Sequence, residues 1–348
     1  MIEAAFAIPG DIGLPTGGYA YDRHVLALLP AFGVAARHIA LPGSFPHPST
    51  DDLAAAERLL AALPSRQIVM IDGLAFGAMP AALIARLRTP ILALVHHPLC
   101  LEAGLPPARQ KELFSLEKAA LALARQIVVT SSTTAETLAK DFGVLPAKVT
   151  VAEPGTNPTP RAAGGGAQPH ILTVGSVVAR KAHDVLVRAL SGLRDQPWRL
   201  TIAGATDRDP TALEALHAAM RETGLTGRIT LTGPLPEDGL ARLYAEADIF
   251  VLPSLYEGYG MALAEALAAG LPIVCTTGGA AARTVPDTAA FKVPPGDASA
   301  LGVALGRLLA DSALRRRMAD AAWVAGQALP RWEDTARRIA DVVKELAA

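Results

Sequence analysis

Short apolar runs alternate with longer amphipathic stretches along the whole chain. Runs such as residues 2–8, 34–41 and 90–95 have the length and composition of strands, and each is followed by a helical pattern. The same alternation begins again at residue 170. Strands that alternate with helices, without sustained strand-turn-strand hairpins, predict parallel sheets covered by helices on both faces. We therefore expect an α/β chain with two doubly wound parallel sheets.

The length of 348 residues fits two domains, since single domains commonly have about 100–200 residues. Residues 158–169 show no periodicity and contain Ala-Ala-Gly-Gly-Gly-Ala, which is the composition of a flexible linker. We predict an N-terminal domain over residues 1–158 and a C-terminal domain over residues 169–330.

The charge balance narrows the classes of partner. The formal net charge is −1, so the charge does not favour a nucleic acid as the binding partner.

The first residues lack the basic start and apolar run of a secretory signal, and the sequence has no long uncharged apolar stretch, so we expect a cytoplasmic protein. Three consecutive arginines, Arg315, Arg316 and Arg317, favour a solvated helix face. Peripheral contact with a membrane surface is the alternative for this stretch.

The most informative stretch is residues 252–279, which reads as strand, loop, helix and strand. In open parallel sheets, ligands bind at the carboxyl ends of strands, where this loop lies. Gly258 and Gly260 allow close backbone approach, and the start of the following helix favours a phosphate. Glu257 and Glu265 are suited to accept hydrogen bonds from sugar hydroxyls. The alternative is that Glu257 is a solvated loop residue and Glu265 merely favours the first helical turn.

The pattern Glu, seven residues, Glu, with interior Gly-Tyr-Gly-Met-Ala-Leu-Ala and the following Ala-Leu-Ala-Ala-Gly-Leu-Pro-Ile-Val, resembles the signature of retaining glycosyltransferases of family 4. The resemblance implies the GT-B fold, in which two Rossmann-like domains face a cleft. It also implies that Glu257 contacts the transferred sugar and that Glu265 holds the nucleotide ribose. The donor-binding loop implied by the same match consists of Gly258, Tyr259, Gly260 and Met261.

Two matches in the N-terminal half extend the resemblance. Family members carry a Gly-Gly pair after the first strand and a histidine after the fourth, which correspond to Gly17, Gly18 and His96. The resemblance implies that the glycine pair lies at the donor diphosphate and the acceptor side of the cleft, and that the histidine is a catalytic residue near the transferred sugar. The alternatives are a flexible turn and a core histidine. Because His96 and His97 are adjacent, the register stays open by one residue, and we prefer His96 as the first residue beyond the apolar run. A zinc site is the other use of such a pair, but no third ligand stands at metal spacing.

The first loop of the C-terminal half contains the cations expected at a diphosphate. The family pattern is Gly-Arg followed five residues later by Lys-Gly, and this chain retains Gly175 and Lys181. Ser176 stands where the arginine is usual, and Ala182 replaces the second glycine. We expect Arg180 to supply the missing guanidinium, so that Arg180 and Lys181 stabilise the departing diphosphate. The alternative is that both cations are solvated side chains at the start of a helix.

Three further expectations follow from the resemblance. Gly204 would lie at the nucleotide, and the base would meet backbone groups about Leu235. The last helix, within residues 331–348, would cross back onto the N-terminal domain.

We therefore expect a retaining hexosyltransferase that uses a nucleoside diphosphate sugar, with UDP preferred to GDP as the nucleotide. The acceptor hydroxyl is unidentified and could belong to a small molecule, a lipid or a polysaccharide. We expect neither a cofactor nor a metal, because Arg180 and Lys181 supply the positive charge at the diphosphate in this scheme. A nucleotide-sugar epimerase of similar architecture and a non-catalytic nucleotide-sugar-binding protein are the alternatives.

Overall fold

The computed structural model describes residues 1–166 and 168–348. The chain forms two compact units, one made of Met1–Gly155 with Pro330–Ala348 and the other of Thr156–Leu329. Each unit contains a six-stranded sheet, and all strand pairings in both sheets are parallel. The predicted pair of doubly wound parallel sheets is thereby confirmed.

The sheet of the first unit has the strand order β2-β1-β3-β4-β5-β6. Its central strands β3 and β4 are buried along their whole length and almost wholly apolar, as expected where helices cover both faces of a sheet. The strands are β1 (Ile2–Pro9), β2 (Val34–Leu41), β3 (Ile68–Asp72), β4 (Ile91–Val95), β5 (Gln126–Val129) and β6 (Val149–Val151). The helices are α1 (Gly17–Leu28), α2 (Thr50–Ala61), α3 (Gly73–Phe76), α4 (Ala81–Ile84), α5 (Pro107–Leu123) and α6 (Ser132–Phe142).

The C-terminal helix of the chain, Trp332–Ala347, packs within the first unit. The Trp332 indole stacks on the His24 imidazole at 4.1 Å between ring centroids, and its edge meets Tyr21 at 5.8 Å. The Thr335 hydroxyl donates to the carbonyl of Glu153 at 2.6 Å. These contacts join the last helix to α1 and to the end of the first unit's main segment.

The sheet of the second unit has the order β12-β11-β10-β7-β8-β9. Its strands are β7 (His170–Val174), β8 (Arg199–Ala203), β9 (Ile229–Gly233), β10 (Ile249–Leu252), β11 (Ile273–Thr276) and β12 (Ala290–Val293). Its helices are α7 (His183–Leu190), α8 (Pro210–Thr223), α9 (Glu237–Glu246), α10 (Met261–Ala268), α11 (Ala281–Thr284), α12 (Ala298–Ala310) and α13 (Ser312–Gln327), which makes the C-terminal helix of the chain α14.

Strand order determines which loops lie side by side. In the second unit the chain runs from β7 to β8 and β9 on one side and returns to β10 on the other. The loops after β7 and β10 therefore diverge from adjacent strand ends, which is where open α/β sheets bind ligands. In the first unit the corresponding point lies between β1 and β3.

Arg315, the first of the three consecutive arginines in α13, contacts the preceding helix. The Arg315 guanidinium donates to the carbonyls of Leu308 at 2.5 Å and Leu309 at 2.9 Å. These carbonyls lie in the last turn of α12, where a cation satisfies acceptors that the helix leaves open. Arg315 therefore joins α12 to α13.

Candidate functional site

An ion-paired cluster occupies the loops after β7 and β10 of the second unit. Lys181 Nζ lies 2.6 Å from Glu257 Oε1, and Arg180 Nη1 lies 3.3 Å from the same oxygen. Arg180 Nη1 also donates to the Tyr256 carbonyl at 2.8 Å. The side chains of Lys181 and Arg180 are only 14% and 17% exposed, and that of Glu257 is 7% exposed. Three predicted site residues are thus brought together at one point.

The electrostatics of this cluster fix the charge of Glu257. Burial alone would raise the pKa of its carboxyl, but the charges of Lys181 and Arg180 and the hydrogen bond from Lys181 lower the pKa to about 2. Glu257 is therefore ionised at neutral pH. Two cations against one carboxylate leave the cluster with a formal charge of +1, which suits an anionic ligand.

The backbone of Glu257 is held by a second glycine pair. Glu257 N donates to the Gly278 carbonyl at 3.2 Å, and Ala280 N donates to the Glu257 carbonyl at 2.8 Å. Gly279 has φ +64, and a Cβ atom there would lie 2.2 Å from Glu257 O. Only glycine fits this position without movement. The sequence shows Gly278-Gly279 after a strand, but its spacing gives no sign that the pair contacts the Glu257 loop.

Helix α10 begins directly after the Glu257 loop. Gly260 is its N-cap in the left-handed region, at φ 93, and Met261 is its first residue. Tyr259 is 7% exposed. Because no side chain caps this helix, its first N–H groups are open to an anion. The predicted loop Gly258–Met261 therefore ends at a helix N-terminus.

Glu265 lies one turn into α10 and has a partner that sequence reasoning missed. The Tyr244 hydroxyl, from α9, donates to Glu265 Oε2 at 2.7 Å. Burial raises the pKa of Glu265, while the Tyr244 hydrogen bond and the charge of Lys181 act in the opposite direction. Tyr244 is itself buried, and burial raises its pKa well above the usual range. A lone tyrosine in a helical pattern gives no signal of this role.

The position of Ala182 explains why a glycine is usual there. Ala182 has φ 50 and ψ 41 and forms the N-cap of α7. Left-handed conformations cost an alanine roughly 1–2 kcal/mol and cost glycine little. The side chain of Lys181, one residue earlier, still reaches Glu257, so the alanine preserves the placement of the cation.

The other predicted donor residues lie in the loops that follow β7, β8 and β9: Gly175, Ser176, Gly204 and Leu235. Ser176 and Gly175 follow β7, and a Cβ atom on Gly204 would lie 2.2 Å from the Gly175 carbonyl oxygen. The loops after β7 and β8 therefore meet backbone to backbone. Leu235 is half-buried in the loop between β9 and α9.

The N-terminal candidates converge on His96 within the first unit. A Cβ atom on Gly18 would meet His96 Cδ2 at 3.4 Å, so the glycine lets the helix approach the ring. Gly17 is the first residue of α1, after the N-cap Thr16. The neighbouring His97 has a different environment, with Nε2 3.1 Å from Glu102 Oε2.

Two buried aspartates flank His96, and sequence reasoning identified neither. His96 Nε2 lies 3.4 Å from Asp22 Oδ1 and 3.4 Å from Asp72 Oδ2. Asp22 comes from α1 and Asp72 from the end of β3. One nitrogen or oxygen atom from each of the three side chains lies within 4.8 Å of the other two, so the three groups form one compact polar cluster. The position of Asp72 at a strand end was a visible signal, whereas Asp22 had none.

Comparisons with known proteins agree with this architecture. Residues 17–159 match the family model Glycosyltransferase Family 4, and residues 168–311 match Glycosyl transferases group 1. The MMP alpha-(1->4)-mannosyltransferase of Mycolicibacterium hassiacum is 30% identical over 294 residues, which cover 79% of this chain and 70% of that protein. The chain belongs to the family 4 glycosyltransferases. The resemblance carried by the Glu257–Glu265 signature is thereby confirmed.

Two further similarities define the extent of the match. The D-inositol 3-phosphate glycosyltransferase of Xylanimonas cellulosilytica is 35% identical over 175 residues, which span 50% of this chain and 42% of that protein. The structure of sucrose-phosphate synthase from Thermosynechococcus elongatus has a TM-score of 0.83 at 21% identity and covers 99% of both chains. The chain therefore has the GT-B fold over nearly its whole length. None of the described helices is long and apolar enough to cross a bilayer.

Proposed function

We propose that this glycosyltransferase moves a sugar from a nucleoside diphosphate sugar to an acceptor hydroxyl with retention of anomeric configuration. The observation that carries the proposal is the buried cluster of Lys181, Arg180 and Glu257 at the switch point of the second sheet. The diphosphate would meet both cations and the start of α10, where preorganised positive charge stabilises a leaving phosphate.

The two signature carboxylates have separate roles in this proposal. Glu257, ionised and anchored by two cations, accepts hydrogen bonds from hydroxyls of the transferred sugar. Glu265, oriented by the Tyr244 hydroxyl, accepts hydrogen bonds from the ribose. Because Lys181 and Arg180 supply the positive charge at the diphosphate, the scheme uses no metal there.

The proposed chemistry needs no covalent enzyme intermediate. The bond between the anomeric carbon and the phosphate oxygen breaks, and the acceptor oxygen bonds to that carbon on the same face. The acceptor proton passes to the leaving phosphate oxygen. The acceptor would be held by the first unit, near Gly18 and His96.

The direct test is a panel of UDP- and GDP-sugars incubated with the purified chain and candidate acceptors. The panel includes GDP-mannose and D-inositol 3-phosphate, because relatives are named for mannose transfer and for this acceptor. We expect release of one nucleoside diphosphate and a glycoside whose anomeric proton, by NMR, shows the donor's configuration. An isomerised nucleotide sugar formed without acceptor would contradict the proposal in favour of an epimerase. Binding without release of nucleotide across the panel would indicate a non-catalytic protein.

A further inference from the structure

The environment of His96 is unusual because both facing carboxylates are buried. Asp22 is 0% exposed and Asp72 is 1% exposed, while the His96 side chain is 20% exposed. Both oxygens of Asp22 and the Nε2 atom of His96 are buried without a hydrogen bond of ordinary length. Burying two carboxylates is costly unless positive charge compensates them. A proton on His96, lying 3.4 Å from one oxygen of each carboxylate, supplies that charge.

The other charged and titratable groups around the ring do not replace this proton. Tyr21 meets the His96 ring edge-on at 5.3 Å, and its hydroxyl donates to the Ala152 carbonyl. Burial and the charge of Asp22 raise the pKa of Tyr21 well above its usual range, so it is neutral. Arg23 acts on Asp22 only through space, since its guanidinium donates to backbone carbonyls of the preceding loop.

The two ring nitrogens of His96 face different surroundings. Nε2 is buried between the carboxylates. Nδ1 has no hydrogen-bond partner within residues 1–166 and 168–348, and the ring is partly exposed. Burial would lower the pKa of His96, but the facing carboxylates of Asp22 and Asp72, each 3.4 Å from Nε2, raise it to about 10. Burial raises the pKa of Asp22 to about 7, although the contact with His96 opposes this.

We propose that Asp22 and Asp72 are positioning residues that hold His96 as an imidazolium, with its Nδ1–H available as a fixed hydrogen-bond donor to a substrate oxygen. An imidazolium has two N–H donors and no free lone pair, so it cannot accept the acceptor proton. His96 would then orient a hydroxyl and stabilise developing negative charge without acting as a base. The use of this donor in catalysis rests on the proposed function, whereas the protonation state does not.

The test reads the protonation of His96 directly. The full chain, labelled with ¹⁵N-histidine, is titrated by imidazole ¹H–¹⁵N correlation spectra between about pH 5 and 10, with His96 assigned from His96→Asn. We expect both ring nitrogens to remain protonated beyond the ordinary midpoint of about 6.5. Asp22→Asn and Asp72→Asn should each lower the midpoint by at least about one pH unit, the scale of a neighbouring-charge effect. The Asn carbonyl at position 72 can still accept from Leu74 N, so that cap is kept.

The matched control is Glu102→Gln, which removes the carboxylate facing the adjacent His97 and should leave His96 unchanged. A wild-type midpoint near about 6.5 would overturn the proposal. A midpoint that neither aspartate variant moves would also overturn it. A neutral His96 whose Nε2 signal shifts with equimolar Zn²⁺ would overturn it as well, and would indicate a metal site. If Asp22→Asn fails to fold, the titrations of the wild type and of Asp72→Asn still test the proposal. Absence of sugar transfer with every donor would refute the proposed function while leaving this result intact.

Discussion

Replacing Lys181 by alanine is expected to lower kcat/KM for donor turnover by at least about 100-fold, as loss of one preorganised donor at a developing negative charge does. The ammonium lies against Glu257 and, in the proposed complex, contacts the diphosphate. The measurement is nucleoside diphosphate release under conditions in which the wild type turns over. Glu257→Gln, which keeps the shape of the side chain and removes its charge, should cause a loss of similar size.

Two controls separate this effect from general damage. Arg221→Ala removes a cation from an exposed ion pair with Glu214 and should leave turnover unchanged, because such pairs contribute little. Lys181→Arg retains the charge but changes its geometry, so we expect partial recovery. Turnover like that of the wild type in folded Lys181→Ala or Glu257→Gln would refute the assigned roles.

Gly279→Ala is expected to lower the free energy of unfolding of the second unit by about 2–5 kcal/mol. Roughly 1–2 kcal/mol comes from the left-handed backbone and about 1–3 kcal/mol from overpacking. The added Cβ would lie 2.2 Å from the Glu257 carbonyl oxygen, so the Glu257 loop has to move. Turnover should fall with stability, because the same loop places the carboxylate between Lys181 and Arg180. Denaturant unfolding and nucleotide release measure the two effects.

Gly224→Ala is the matched control for this change. Gly224 has nearly the same conformation, at φ +66 compared with +64, but nothing lies within 4 Å of the added Cβ. We expect a loss of only about 1–2 kcal/mol and unchanged turnover. Equal destabilisation by the two substitutions would show that the contact with Glu257 has no energetic importance.

The alternation of apolar runs and helical patterns was sufficient to predict both sheets. β2 and β7 match the predicted segments at both ends. A strand that is buried along its whole length, such as β4, has a continuous apolar sequence and is therefore easy to recognise. The Glu257–Glu265 spacing predicted the family because it combines two carboxylates, a glycine-bearing loop and a helix start in one short segment. Local information of this kind is visible in a single sequence.

Contacts between residues that are distant along the chain could not be predicted from the sequence alone. Tyr244 reaches Glu265 across 21 positions, and Asp22 and His96 are separated by 74 residues. Both pairings depend on which strand ends are neighbours, which strand order decides and periodicity does not. Asp22 was missed for this reason, whereas Asp72 stood at a strand end and could have been proposed. The ion pair between Lys181 and Glu257 was not anticipated as a direct contact.

Binding of a nucleotide donor by the second unit through the Glu257–Glu265 segment can be measured by thermal shift. The wild type, Glu265→Ala and the exposed-site control Glu222→Ala are heated with UDP, GDP and their sugars. A ligand at about 100 times its Kd adds about 2.7 kcal/mol to the free energy of unfolding. We expect one nucleotide to raise the Tm of the wild type and of Glu222→Ala but not of Glu265→Ala. Absence of a shift with every nucleotide in the wild type would show that the second unit does not bind a nucleotide donor.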